Sequence, residues 1–326
     1  MGFSTILGQQ AALARIKSAI DTGRIPPAFL FFGPAGVGKM LTAKETAKAI
    51  LCENEIARIA EGNCGECSSC VQIERGIHSD VVMVNREFQA ELRDEESDEQ
   101  KHLRIDTVRR AIEMAQQKSI SGGRKIFIVD EAETMQVAAQ DALLKLLEEP
   151  PSDMLWILLA VRRENMRDTI VSRCQPVRFM PLPDDAFEEI LVQQGFAMDE
   201  AQQLAATSEG SIARAMKIKE LAEDFSKLDP MDPLYPFKAA SSLPKELHLA
   251  RKDAGMLIEL LINSTAARWR TETVPHTKDE LKRAISRMFT HREYINRNVS
   301  PQMALEAALL ETARFEIPIF SHKHQV

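Results

Sequence analysis

A glycine-rich segment directly after a short apolar segment constrains the fold of this chain more than any other feature. Residues 28–32 are Ala-Phe-Leu-Phe-Phe, and a strand of that composition has to be covered on both faces, as in a parallel sheet. Residues 33–39 match the phosphate-loop pattern Gly-x-x-x-x-Gly-Lys, and a helical pattern begins at Lys39. This order of strand, glycine-rich turn and helix predicts an α/β domain that binds nucleotide phosphates.

The residues of this loop that we predict to hold a nucleotide are Gly33, Gly36, Gly38, Lys39 and Met40. The glycines let the backbone wrap around phosphate oxygens, and Lys39 supplies a positive charge to the β- and γ-phosphates. Met40 departs from the pattern, which has Ser or Thr there because the hydroxyl ligates Mg²⁺. A thioether is a poor ligand for that hard cation. Met40 therefore argues against metal-assisted hydrolysis of ATP at this loop and leaves nucleotide binding open.

An acidic pair supplies the second half of such a site. Four apolar residues at 126–129 precede Asp130 and Glu131, about 90 residues after the phosphate loop. In an ATPase, Asp130 would hold Mg²⁺ and Glu131 would polarise the attacking water. The alternative is a strand that ends in an acidic turn without catalytic meaning.

Four cysteines cluster between the phosphate loop and the acidic pair. Cys52, Cys64, Cys67 and Cys70 have the spacing C-x11-C-x2-C-x2-C, and four thiolates in close pairs suit a tetrahedral, structural Zn²⁺. A redox function of the Cys-x-x-Cys pairs is the alternative, although the pair occurs twice in tandem with a fourth thiol upstream. Cys174 stands alone. The sequence predicts a zinc module at about residues 52–70.

Strands and helices alternate in the first half of the chain, and helices dominate the second. Further strands are predicted at 79–84, 125–130 and 154–160, with helices between them, which gives a doubly wound parallel sheet. The predicted domains are 1–182 for the α/β part, 183–225 for a small helical domain, and 237–326 for a second helical domain. A segment rich in Pro and Asp, 226–236, is the predicted linker.

Composition limits the classes of partner. The formal net charge is −7, so the surface as a whole does not indicate nucleic-acid binding. Much of the acidic excess lies at 91–100, which we predict to be a solvated, mobile loop. The chain has no apolar run long enough to cross a membrane and no secretory signal pattern at its start, so we expect a cytoplasmic protein with no membrane partner.

Several short strings are typical of one family when they occur in this order. They are Ile-Leu-Gly-Gln at 6–9, Gly-Ile-His-Ser-Asp at 76–80, Leu-Arg-Ile-Asp at 103–106 and Ala-Leu-Leu-Lys-Leu-Leu-Glu-Glu-Pro-Pro at 142–151. Together they resemble the three-domain AAA+ subunits of bacterial DNA polymerase III clamp loaders, over essentially the whole chain. The resemblance implies an AAA+ P-loop ATPase domain with an inserted zinc module, then a helical lid and an all-α C-terminal collar domain.

The same resemblance assigns roles to two arginines. Ser-Arg-Cys at 172–174 is similar to the family motif whose arginine, here Arg173, reaches across a subunit boundary to a neighbour's ATP. The alternative is an arginine in an exposed turn, paired with a carboxylate. Arg214 matches the second sensor arginine, which contacts the chain's own nucleotide. The first sensor, a Thr or Asn, is missing, because Ala160 and Val161 occupy that strand end.

Within the family, the apolar residues at Met40 and at Ala160–Val161 resemble the delta-prime type of subunit. That type donates the arginine finger and needs little or no ATPase activity of its own. It belongs to the DNA polymerase III holoenzyme, which as a complex is a nucleotidyltransferase. The implied partners are the gamma/tau and delta subunits in a hetero-pentameric ring, the sliding clamp, and primer-template DNA through the complex. One alternative is a gamma/tau-like motor that hydrolyses its own ATP with Mg²⁺, and another is an AAA+ scaffold outside replication.

Overall fold

The strands that the structure describes form one parallel sheet. The computed structural model describes residues 2–94, 102–225, 227–229, 231–297, 299–315 and 317. The strands are β1 (Ala28–Phe32), β2 (Val81–Val84), β3 (Lys125–Val129), β4 (Met154–Ala160) and β5 (Gln175–Arg178). Their order across the sheet is β2-β3-β4-β1-β5, and every neighbouring pair is parallel. The predicted parallel α/β sheet is therefore confirmed.

Both faces of the sheet are buried, as the continuous apolar strands predict. All seven residues of β4 are buried, and their side chains alternate between two separate apolar clusters. Trp156 belongs to the cluster on one face, where its ring stacks on Phe127 with centroids 4.6 Å apart. Leu155 and Ile157 belong to the cluster on the other face, with Phe29. A strand that is apolar at every position can sit only in such a doubly covered sheet.

Two sets of helices supply these covers. The cluster that contains Phe29 includes residues of α1 (Gln10–Asp21) and α2 (Lys39–Leu51), and the cluster that contains Trp156 includes residues of α6 (Ile105–Gln116) and α7 (Val137–Glu148). The helices that begin in the first compact unit, Met1–Arg214, are α1 (Gln10–Asp21), α2 (Lys39–Leu51), α3 (Glu55–Glu61), α4 (Ser68–Glu74), α5 (Arg86–Arg93), α6 (Ile105–Gln116), α7 (Val137–Glu148), α8 (Asp168–Val171), α9 (Asp184–Gln193), α10 (Met198–Ser208) and α11 (Ile212–Phe225). Short 3-10 helices lie at Phe3–Thr5, Ala132–Thr134 and Arg163–Asn165.

The second compact unit, Ala215–Val326, is helical in its described residues. Beyond the end of α11 it contains α12 (Tyr235–Ser241), α13 (Leu247–Thr271), α14 (Pro275–Asn296) and α15 (Pro301–Ala313). Helix α13 packs against α14 and α15, and α12 also packs against α15. Across the described ranges, we find no helix whose length and apolar character would let it cross a bilayer.

The structure departs from the sequence predictions in two places. Strand β5 was not predicted, because it is only four residues long, contains Pro176 and ends on the exposed Arg178. Proline is tolerated at the edge of a sheet, where β5 lies. The acidic run predicted as a loop begins inside α5, which includes residues 91–93, and its residues 95–100 lie outside the described part of the chain.

A buried carboxylate fixes the segment before β2 to the segment before β3. Asp80 is fully buried and accepts hydrogen bonds from the Ser119 hydroxyl at 2.9 Å, from the Ile120 amide at 2.9 Å, and from the amide and hydroxyl of Ser121 at 2.8 and 2.7 Å. Burial opposes its ionisation, but the hydrogen bonds from Ser121, Ile120 and Ser119 outweigh burial and lower the pKa of Asp80 to about 2. The ionised carboxylate therefore stabilises the fold.

Replacing this carboxylate with an amide will destabilise the protein in a pH-dependent way. The pKa of Asp80 is about 2 in the folded state, against the ordinary value of 3.8. The charge of Asp80 therefore contributes about 2 kcal/mol to the free energy of unfolding above pH 5, and this contribution is lost as the pH falls from about 4 to 2. We expect Asp80→Asn to lower the free energy of unfolding by about 2 kcal/mol at pH 7, measured by urea denaturation.

The matched control is Asp153→Asn, at an exposed aspartate, which should change that free energy by less than about 0.5 kcal/mol. The loss caused by Asp80→Asn should shrink when the titration is repeated near pH 3. A loss of equal size at both pH values would contradict this account of Asp80.

Candidate nucleotide site

The phosphate loop lies where β1 and β4 end side by side. Phe32 is paired with Ala160 at the carboxyl ends of the two strands, and the Gly33 amide donates to the Ala160 carbonyl at 3.2 Å. Since β3 is the other neighbour of β4, its acidic end reaches the same edge. A cavity of about 780 Å³ opens there, lined by residues 35–41 of the loop and its helix, by Asp130, Glu131 and Glu133, and by residues 159–161, among others.

Close approach to other backbone explains the first two glycines of the loop. Gly33 has φ 150, and a Cβ atom there would lie 2.2 Å from the Phe179 carbonyl oxygen. Gly36 has φ 69, and a Cβ atom there would lie 2.5 Å from the Ala213 amide nitrogen. Only glycine fits both positions without a shift of the neighbouring backbone.

Donors from outside the loop hold its carbonyl groups. The Ser211 hydroxyl donates to Ala35 at 2.8 Å, and the Ile212 amide donates to Gly36 at 3.0 Å, so the start of α11 lies directly against the loop. Gln9 donates to Val37 at 3.2 Å. With its carbonyls held on the outside, the loop keeps a curved backbone of the kind that can turn amides toward an anion.

Lys39, the loop lysine, contacts the loop itself. Its Nζ donates to the carbonyls of Gly33 and Pro34, both at 2.6 Å. Burial lowers the pKa of Lys39, and the negative charges of Glu133 and Asp130 oppose that shift. The ammonium group therefore has two carboxylates near it in addition to its carbonyl partners.

The structure supports the argument that the loop lacks a hydroxyl ligand for Mg²⁺. Met40 lines the cavity at the position where the pattern has Ser or Thr. Thr42, two residues later, is fully buried, and its hydroxyl donates to the Gly38 carbonyl at 2.8 Å inside α2. That hydroxyl is therefore turned away from the cavity.

Asp130 and Glu131 follow β3, as predicted, but their side chains have different surroundings. Burial raises the pKa of Asp130, the hydrogen bond from the Glu131 amide opposes this shift, and the charge of Glu131 adds to it. Glu131 has φ 46, and its carboxylate pairs with Arg86 at the start of α5. Glu131 thus lines the cavity while its charge is partly neutralised by that arginine.

Glu133 is the cavity residue whose role the sequence analysis missed. Its Oε1 accepts a hydrogen bond from the Val161 amide at 2.9 Å, at the end of β4 where the family's first sensor would be. Its Oε2 is buried and has no hydrogen-bond partner within the described ranges. No sequence pattern pointed to Glu133, because its position depends on the turn after Asp130.

The two predicted arginines lie apart from the cavity walls. Arg173 follows α8 and is 36% exposed; its guanidinium donates to Glu148 at 2.6 Å and to the Thr169 carbonyl at 3.0 Å. Arg214 pairs with Glu209 at 3.6 Å, and its neighbours Ile212 and Ala213 line the cavity, whereas Arg214 itself is not among the described lining residues. Arg173 thus has the carboxylate partner that the alternative interpretation describes, at an exposed position.

The four clustered cysteines come together in space as their spacing predicts. The sulfur atoms of Cys52, Cys64, Cys67 and Cys70 all lie within 4.8 Å of one another, which fits four ligands around one tetrahedral metal ion. Hydrogen bonds from the amides of Glu66 and Cys67 lower the pKa of Cys64 to about 6, which favours a thiolate. The fifth thiol, Cys174, is buried alone, and burial raises its pKa to about 12.

Comparisons with known proteins identify subunits of DNA polymerase III. A family model described as DNA polymerase III, delta subunit, matches residues 8–183. The DNA polymerase III subunit delta' of Pseudomonas aeruginosa is 34% identical over 193 residues, which are 54% of this chain and 55% of that protein. The DNA polymerase III subunit tau of Escherichia coli is 29% identical over 226 residues, which are 68% of this chain and 33% of that protein. The chain thus spans about half the length of the first relative and a third of the second.

A solved structure supports the fold. The gamma subunit-related protein of DNA polymerase III from Thermotoga maritima superposes with a TM-score of 0.53 at 15% identity, covering 92% of this chain and 99% of that chain. At this identity the likeness concerns the fold alone, and it agrees with the predicted order of an α/β domain followed by helices.

The contact between the loop and the start of α11 can be tested with two glycines of the same backbone conformation. Gly36 and Gly76 have φ 69 and 71, but a Cβ atom at Gly76 would meet nothing within 4 Å. Both Gly→Ala changes carry the cost of a left-handed alanine. We expect Gly36→Ala to lower the free energy of unfolding by about 1–3 kcal/mol more than Gly76→Ala, measured by urea denaturation, because it also forces Ala213 away. Equal losses would mean that residues 211–213 do not press on the loop.

Proposed function

The chain belongs to the family described as DNA polymerase III, delta subunit, and on that basis we propose that it is a delta-prime-like subunit of the bacterial DNA polymerase III clamp loader. In this role it helps to load the sliding clamp onto primed DNA during replication, in the cytoplasm. The observation that carries the proposal is the loss of polar groups at two positions of its own nucleotide site, while the loop itself is retained.

Both losses bear on hydrolysis more than on binding. Met40 offers no oxygen ligand for Mg²⁺, and Ala160 and Val161 offer no side-chain hydrogen bond to a γ-phosphate or to a water. Gly36, Gly38 and Lys39 of the loop, by contrast, line the cavity, and we propose that the loop holds phosphate oxygens. We therefore propose that the site contributes little or no ATP hydrolysis.

Arg173 is the residue through which the subunit would act on chemistry elsewhere. A fixed cation that reaches the developing charge on a neighbour's γ-phosphate accelerates phosphoryl transfer by orders of magnitude. Arg173 is exposed, and Glu148, which pairs with it in the isolated chain, orients its guanidinium. In the assembled ring, the γ-phosphate of the neighbouring subunit would compete with Glu148 for this arginine.

The proposed partners follow from the same role. The chain would assemble with gamma/tau and delta subunits in a hetero-pentameric ring, in part through its C-terminal helices. It would contact the sliding clamp and primer-template DNA as part of that complex. Arg214, on α11, would contact the chain's own nucleotide; in the isolated chain its guanidinium lies 3.6 Å from Glu209.

A gamma/tau-like motor is the second candidate. The observations in its favour are that Lys39, Asp130 and Glu131 are all present at the cavity and that tau subunits are among the relatives. Turnover of ATP by the isolated chain, abolished by Lys39→Ala, would favour this candidate over the first.

We also propose that the four clustered thiols hold a structural Zn²⁺. Cys52, Cys64, Cys67 and Cys70 would close the metal's coordination shell, which leaves no position for a substrate. When bound, the ion would cross-link the end of α2 to α4, and its chemistry would be purely structural.

The arginine-finger role predicts a loss of hydrolysis at the neighbouring subunit. In a reconstituted complex in which only that motor subunit has an intact phosphate loop, we expect Arg173→Ala to slow ATP hydrolysis by at least about tenfold. Arg173→Lys should restore only part of the rate, because an ammonium group lacks the planar fork. Steady-state phosphate release measures both effects, and gel filtration verifies assembly.

Arg163→Ala is the matched control, since Arg163 is also exposed and its carboxylate partner is the adjacent Glu164. It should leave hydrolysis unchanged. If Arg173→Ala assembled normally and hydrolysed ATP at the original rate, the delta-prime-like role would have to be abandoned.

The metal proposal predicts one zinc per chain, lost on removal of a single clustered thiol. We expect Cys64→Ser to abolish stoichiometric zinc, measured by metal analysis of the purified full chain, and to lower its melting temperature. Cys174→Ser should retain the metal, because that thiol lies outside the cluster. Zinc retained in full by Cys64→Ser would contradict the four-thiolate site.

A further inference from the structure

Glu133 lies at the point of the cavity where the loop and the strand ends meet. Its Oε1 is bound to the Val161 amide, and the residue before Val161, Ala160, accepts the hydrogen bond of the Gly33 amide. The carboxylate therefore stands over the end of β4, between Asp130 at the end of β3 and the loop that follows β1. The hydrogen bond from the Val161 amide fixes this position.

The charge balance around this carboxylate is negative. Among the described lining residues, the charged ones are Asp130, Glu131, Glu133 and Lys39. Glu131 is paired with Arg86, whereas Glu133 has one oxygen on an amide and the other buried without a hydrogen-bond partner in the described ranges. The Val161 amide already donates to Glu133, so it has no hydrogen bond to offer to a second anion placed beside this carboxylate.

The position of this charge matters for the terminal phosphate of a nucleotide. In phosphate-loop sites the loop amides surround the β-phosphate, and the γ-phosphate extends toward the acidic strand end, where Mg²⁺ normally neutralises it. Here that direction leads from Lys39 toward Asp130 and Glu133. Met40 removes one ligand of the ion that would otherwise screen the repulsion.

We propose that Glu133 is a specificity-determining residue that makes this phosphate loop bind a nucleoside diphosphate in preference to a triphosphate. The loop amides and Lys39 suffice for the β-phosphate of a diphosphate. A γ-phosphate would place further negative charge against the Glu133 and Asp130 carboxylates in a partly buried cavity, where such repulsion is poorly screened. The subunit would thus carry a bound diphosphate in its own site while Arg173 serves a neighbour.

Equilibrium binding to the isolated full chain tests this preference. We expect isothermal titration calorimetry with ADP and with ATP to give a Kd for ADP at least about tenfold lower, first in EDTA and then with Mg²⁺. Lys39→Ala should weaken both nucleotides, which assigns the binding to the loop. ATP binding as tight as ADP, or no measurable binding of either nucleotide, would overturn the inference.

Glu133→Gln isolates the charge, because glutamine has the same shape and can still accept from the Val161 amide. We expect it to bring the ratio of the two Kd values close to one, mainly by tightening ATP. Glu164→Gln is the control, since it removes one negative charge from an exposed residue of the 3-10 helix after β4. It should leave the ratio unchanged. A ratio that Glu133→Gln does not alter would refute the assignment.

Binding measured with Mg²⁺ distinguishes repulsion of the γ-phosphate by Glu133 from ligation of the metal ion by Glu133. If Glu133 were instead a ligand that replaces the missing hydroxyl, Mg²⁺ would make the wild-type chain prefer ATP. Glu133→Gln would then lose that preference. This outcome also overturns the inference.

The inference goes beyond the proposed clamp-loader role and is tested on the isolated chain, whereas that role is tested by Arg173→Ala in the complex. Failure of one therefore leaves the other measurable.

Discussion

The parallel pairing of β1 with β4 is the constraint on which the site depends. It places Phe32 beside Ala160 and lets the first amide of the loop bind the last residue of β4. A shift of one residue along either strand would exchange the two apolar faces and move the loop away from the acidic end of β3. The burial of every residue of β4 makes such a shift costly. The core of the sheet therefore fixes the position of Lys39 relative to the carboxylates.

The strands that carry the site could be predicted because each is a continuous apolar run next to a chemical motif. Strand β5 escaped prediction, since a proline and a terminal arginine in four residues resemble a loop and only the edge position makes them a strand. The clustering of the cysteines followed from their spacing. The position of Glu133 could not be predicted from the sequence. It depends on the left-handed backbone at Glu131 and on the 3-10 helix that follows, and neither feature leaves a periodic pattern in the sequence.

The four-cysteine cluster and the phosphate loop lie at opposite ends of one helix, which links two features that the sequence presents separately. Helix α2 begins at Lys39 and ends at Leu51, one residue before Cys52. Inside it, buried Lys48 pairs with Glu45 and with Glu74 of α4, both at 2.6 Å. Lys48 and Glu45 are both buried within α2, whereas the Glu74 side chain is 61% exposed and reaches the same ammonium group from α4. The pairing therefore holds the cysteine segment against the helix that presents the loop, whether or not the loop catalyses anything.

This arrangement explains how the site can lose hydrolysis and keep its shape. The loop is held from outside by Gln9, Ser211 and Ile212, and none of these contacts requires a nucleotide. Replacing the Mg²⁺ hydroxyl by Met40, or the sensor side chain by Val161, therefore removes groups that act on the γ-phosphate without loosening the frame around the β-phosphate. A carboxylate such as Glu133 can then occupy the amide at the end of β4. The physical consequence is a cavity whose structure depends on its own chain and whose charge opposes a third phosphate.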